Sequence, residues 1–186
     1  MSQSFISLNF LPKGKFRVDL VEGVTKTNFF SICYGALTTI GLLTFISYAT
    51  TYVLMENLSY QRNQIGTIVG DLQVVAEIAL LIIFLPVGLI ADKIGRRQVY
   101  SFGMFAMGLS YFLYPLATGI GELTIYRIVF AIGMGAATGM LGTVTADYPQ
   151  NHTRGKMIAV TGILNATGVI TVSLVFARLP ENFAQM

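Results

Sequence analysis

Residues 88–97, Gly88-Leu89-Ile90-Ala91-Asp92-Lys93-Ile94-Gly95-Arg96-Arg97, join two long apolar runs, and their reading decides the fold. Charges packed this densely between apolar runs mark a short turn between two helices that lie in lipid. Gly88 is expected to let two helices approach closely, and Gly95 to permit the tight turn. Asp92 stands where a helix leaves the hydrocarbon. Arg96 and Arg97 are expected to hold the turn on the cytoplasmic side of the membrane.

Composition agrees. Apolar residues make up 54% of the chain and charged ones 11%, a balance suited to lipid and poor for a water-soluble domain. A helix needs roughly 20 mostly apolar residues to cross the hydrocarbon. Stretches 29–54, 67–91, 99–116, 123–145 and 157–177 meet that need. The expected fold class is therefore all-α transmembrane, with five membrane-spanning helices. Pro86 is expected to kink the second helix, which membrane helices tolerate. The strand alternation of a membrane barrel is missing.

Domain organisation follows from these spans. Residues 1–28 form a mixed, polar leader without the pattern of a cleavable signal peptide, read as a surface-lying helix or as disordered chain. Residues 29–178 make the helical bundle, and 179–186 begin an extracytoplasmic loop in which the bundle is expected to be cut short. Orientation comes from the basic residues. Lys13, Lys15, Arg17, Lys26, Lys93, Arg96, Arg97, Arg154 and Lys156 fall on one side, while Arg62 and Arg178 fall on the other. This bias places the N-terminus in the cytoplasm, with the plasma (inner) membrane as the expected location.

With these features in place, residues 88–97 resemble the loop between helices two and three of major facilitator superfamily transporters, whose pattern is G-x-L-A-D-r-x-G-R-[RK]. Ile90 stands where leucine is usual, and Lys93 where arginine is common. A second stretch, 146–156, is similar to that superfamily's loop between helices four and five. Its acid, proline and Arg-Gly pair are here Asp147, Pro149, Arg154 and Gly155. The resemblance implies a cytoplasmic gate in which Asp92, Arg96, Asp147 and Arg154, with Gly88, Gly95 and Arg97, lock and release the outward-open state. The alternative is that these residues only anchor the loops at the headgroups. A third, looser match is Arg127 followed by a glycine-rich stretch, in which Gly135 and Gly139 form a GxxxG suited to close helix packing.

The resemblance implies the first five helices, the N-terminal portion, of a secondary transporter moving a small solute by alternating access. Such a transporter holds its solute between two six-helix halves, so a C-terminal helical half is expected as partner, along with the lipid bilayer, the solute and a coupling proton or ion. Drug–proton antiport is disfavoured by the lack of proline in helix five. No acid lies in helix one, so coupling schemes that use one there do not carry over.

Charged groups inside the hydrocarbon need a partner or a cavity. Asp71 and Glu77 in helix two and Arg127 in helix four are the candidates for substrate or proton coupling. Glu77 lies roughly 22 Å along the axis from Asp92, a little past the midplane. It shares one helix face with Gly66, Gly70, Gln73, Leu81, Phe84 and Gly88. An unpaired carboxyl group there favours its protonated form; the plainer reading is an acid hydrogen-bonded to Gln73 or to a neighbouring helix. Asp71 and Arg127 share a depth, so an ion pair between them is expected, as a bundle staple or a coupling switch. Tyr48 in helix one and Asn165 in helix five are further candidates to line a cavity.

Two rival classes stand beside this reading. One is a short multi-span membrane protein acting as an assembly partner or regulator. The other is a membrane enzyme, against which the chain has no nucleophile–base constellation, no His/Cys metal cluster and no phosphate-binding glycine loop. No catalytic residue, no metal and no cofactor are expected. The basic balance reflects inside-facing loops, not nucleic acid. Cys33 is read as an apolar filler and His152 as incidental.

Overall fold

The computed structural model describes residues 5–7 and 17–183, with side chains from Val18 to Val175. Five long helices dominate it. They are α1 (Lys26–Tyr52), α2 (Arg62–Ile94), α3 (Arg96–Leu113), α4 (Ile120–Asp147) and α5 (Arg154–Phe183). A π-helical turn, Val53–Asn57, extends α1, and a 3-10 turn, Tyr114–Leu116, extends α3. All five are long and apolar enough to cross a membrane, and the protein is an integral membrane protein. The 33 residues of α2 span roughly 50 Å at about 1.5 Å each, so its ends project well beyond a hydrocarbon layer of about 30 Å.

Local chemistry sets the breaks. Thr25 caps α1, its hydroxyl accepting from the Asn28 amide. Between α2 and α3 only Gly95 intervenes, at φ +99°, a backbone conformation that costs glycine little and other residues more. The expected tight turn is there. α2 runs unbroken through Pro86.

α4 is the hub, packing on α3 and α2 and more lightly on α1 and α5, while α1 and α5 form a second close pair. Glycines permit both approaches. A Cβ at Gly103 of α3 would lie 2.6 Å from the Ala137 nitrogen and 2.7 Å from the Gly133 oxygen. Across the other seam, a side chain at Gly168 of α5 would run into the Leu37 carbonyl of α1. On α2, Leu80 and Ile83 pack where a Cβ on Gly135 would stand, and the Phe84 ring lies over Gly139. The main core gathers Ile46, Leu54, Leu72, Met107, Leu123 and Phe130. Replacing Gly103 by valine should prevent the α3–α4 contact. The expected result is loss of most monodisperse protein after detergent extraction, and an undiminished yield would refute this account of the seam.

Two expectations need correction. The described part of the leader is not a surface helix. Phe5–Ser7 (β1) and Arg17–Asp19 (β2) pair antiparallel, with Ile6 opposite Val18. Val18 and Leu20, on one face at the strand period of two, are buried against Phe29, Ile32 and Met157. An alternation of only two apolar residues is too short to stand out in the sequence. Residues 1–4 and 8–16, with Lys13 and Lys15, lie outside the described residues. At the other end α5 continues to Phe183, so 179–183 are helix where the start of a loop was expected.

Candidate functional site

Gln73 and Glu77 stand one turn apart on α2, where side chains at i and i+4 meet. Gln73 Nε2 donates to Glu77 Oε1 at 2.6 Å. From α4, Arg127 Nη2 donates to Gln73 Oε1. A single amide therefore links the guanidinium to the carboxyl group across the α2–α4 seam. Arg127 is only 4% exposed, and its guanidinium lies 5.6 Å from the centre of the Phe130 ring. Its Nε and Nη1 are buried without a hydrogen-bond partner. Glu77 and Gln73 are exposed all the same, at the edge of the α2–α4 seam.

The expected Asp71–Arg127 ion pair is not formed, and Arg127 pairs with no carboxylate among the described residues. Depth was matched but direction was not. Two residues on a helix rotate a side chain by about 200°, so Gln73 reaches α4 while Asp71, at nearly the same height, is exposed. Gln73 is the functional candidate that sequence reasoning undervalued; its signal was the i, i+4 spacing to Glu77.

Tyr48 and Asn165 serve the α1–α5 seam. The Tyr48 hydroxyl donates to Ser173 Oγ at 3.3 Å. With its nitrogen turned toward them, the Asn165 amide donates to the Ala36 carbonyl at 3.0 Å and the Thr161 carbonyl at 3.3 Å. Asn165 thus ties two helices together, one use of a half-buried amide that its sequence position alone did not distinguish from cavity lining.

At the basic end of the bundle, Arg96 Nη1 pairs with Asp147 Oδ2 and so joins the start of α3 to the end of α4. Their side chains are 40% and 44% exposed, and such pairs are worth about 1 kcal/mol or less. Arg154 Nε donates to the Ala146 carbonyl at 2.9 Å, satisfying an end carbonyl of α4. Asp92 and Arg97 are exposed and make no side-chain bond among the described residues. The four-residue charge network expected from sequence is, among the described residues, one ion pair and one helix-end contact. Gly88 also departs from expectation. A Cβ there would meet nothing within 4 Å, so Gly88 brings no helix of the described bundle close. It lies instead in an open apolar groove on α2 with Leu81, Phe84, Leu85 and Leu89, ending at Asp92.

Comparisons with known proteins agree with this architecture. The magnetosome protein MamH of Paramagnetospirillum magneticum is 28% identical over 134 residues, covering 68% of this chain and 31% of MamH. A low affinity inorganic phosphate transporter 5 of Petunia hybrida is 30% identical over 103 residues, covering 52% and 19% respectively. The inner membrane metabolite transport protein YgcS of Escherichia coli is 25% identical over 177 residues, covering 94% of this chain and 36% of its own length. The chain thus spans no more than about a third of these relatives. A sequence model of the Major Facilitator Superfamily matches residues 32–183, and the chain belongs to that superfamily.

Proposed function

We propose that this chain is the N-terminal helical portion of a secondary transporter that moves a small polar solute by alternating access, with Glu77 as the proton-coupling group. The observation that carries the reading is the outward-facing polar strip of α2. Glu77 and Gln73 are exposed in the middle of a membrane span, with a buried guanidinium behind them. Polar groups at that depth need protein or a wet cavity opposite them and not lipid, which is what a second helical half would provide. The apolar groove below, with Leu81 at 77% exposure, continues the same unpartnered face. Relatives whose names specify inorganic phosphate and metabolite transport support a small polar solute.

In this reading the basic end faces the cytoplasm. Arg96 and Asp147 are the part of the gate within this half, and Asp92 and Arg97 reach toward the other half. A gate must open and close on each cycle, which suits a weak, exposed pair better than a buried one. The test uses the full-length protein in lipid nanodiscs, followed by hydrogen–deuterium exchange. Asp147→Asn should raise exchange at the amides of 96–98 and 148–153, while Asp92→Asn should impair uptake severalfold at unchanged membrane abundance. Exchange at wild-type levels together with normal flux would sink the gating role.

A further inference from the structure

The α4–α5 loop is held from outside the bundle by the leader. Residues 19–21 run antiparallel beside 148–150, with Leu20 bridged to Pro149. The Val21 amide donates to the Tyr148 carbonyl at 2.9 Å, and the Gln150 amide donates to the Asp19 carbonyl at 2.8 Å. Side chains add to this. Gln150 Nε2 donates to the Leu20 carbonyl at 3.1 Å. The Thr153 hydroxyl donates to the Asp19 carbonyl at 3.1 Å and accepts from the Asp19 amide at 3.3 Å. His152 Nε2 lies 2.8 Å from Asp19 Oδ2.

These bonds fall on the residues immediately after Asp147, the acid that ends α4 and pairs with Arg96. The strand is also well seated. Val18 is 0% and Leu20 3% exposed, packed with Phe29 of α1 and Met157 of α5. Leader, start of α1, end of α4 and start of α5 therefore form one small cluster at the basic end. Backbone hydrogen bonds from the leader thus satisfy the Tyr148 carbonyl and the Gln150 amide, just past the end of α4.

We propose that residues 18–21 act as a brace that positions Asp147 for Arg96, so that docking of the leader sets how readily the gate opens. The proposal deepens the gate reading above and rests on it. Val21, Leu20 and Thr153 are positioning residues: their bonds go to the loop and leader backbone and not to the ion pair, and each acts through the loop backbone. Whatever detached the leader, whether a binding partner or a covalent modification, would loosen the gate from a distance.

The test is hydrogen–deuterium exchange on the full-length protein in nanodiscs, with no solute required. Val21→Pro removes the donor to Tyr148, and Thr153→Val removes the hydroxyl contacts at nearly constant side-chain volume. The valine variant keeps the experiment informative if the proline variant fails to fold. Both should raise exchange severalfold at 148–153 and also at 96–98, to the level reached by Asp147→Asn. Faster exchange at 148–153 with 96–98 unchanged would overturn the brace, provided Asp147→Asn does move 96–98. If Asp147→Asn leaves 96–98 unmoved while Val21→Pro and Thr153→Val both move it, the gate reading fails and the leader–loop contact acts on α3 by another route, which also overturns the proposal as stated.

Discussion

Glu77→Gln is expected to flatten the pH profile of uptake by the full-length protein while leaving its abundance and melting temperature unchanged. The wild type should take up more solute as the outer pH falls, since a carboxyl group that binds and releases a proton in each cycle ties transport to proton supply. Glutamine keeps an oxygen that can accept from Gln73 Nε2, so the link to Arg127 survives. What it lacks is the titration. Because Glu77 is exposed on the unpartnered face of α2, the exchange buries no new polar group in the described bundle. Uptake of radiolabelled phosphate into proteoliposomes, across a series of outer pH values, is the first assay, chosen from the phosphate transporter among the relatives. An unchanged slope with pH would remove Glu77 from coupling. A flat profile at a strongly reduced rate would assign the proton to Glu77 and also tie the chemistry of coupling to turnover.

The difference between what the sequence disclosed and what it hid has a physical pattern. Five spans were legible because apolar runs of that length have few other uses, and Gly95 because a one-residue break between helices favours glycine. Helix ends moved by a few residues, as expected where polar residues continue a helix past the lipid. Azimuth was harder. Asp71 and Gln73 differ by about 3 Å in height at about 1.5 Å per residue, yet only Gln73 meets Arg127. Gly88 and Asn165 were assigned from residue type; one faces open space and the other binds two carbonyls of the α1–α5 seam. The leader was missed because its order comes from residues 148–153, about 130 positions away in the chain. No local pattern encodes a contact of that separation.

Arg127→Met is expected to stabilise the protein and abolish coupled uptake. Arg127 sits 4% exposed with Nε and Nη1 unpartnered. Its bonded contact is with a neutral amide, so the desolvation of a full charge is poorly offset within this bundle. Replacing buried ions by apolar residues of similar volume is often neutral or stabilising by about 1–4 kcal/mol. Against that stand the contact with Phe130, worth about 2 kcal/mol when desolvated, and the loss of one partner by Gln73. The two unpartnered donors tip the balance toward methionine, and the melting temperature should rise slightly. Function should move the other way. Without the guanidinium, the Gln73 amide loses the contact that orients it toward Glu77, and the link across the α2–α4 seam is broken. Thermal melts and phosphate uptake on the same preparations separate the two effects. A stabilised, inactive variant would identify Arg127 as a charge retained for transport at the expense of stability. A destabilised one would mean that Nε and Nη1 find a carboxylate elsewhere in the full protein. In that case Arg127 joins the two halves, and its removal leaves an unpaired acid buried opposite it.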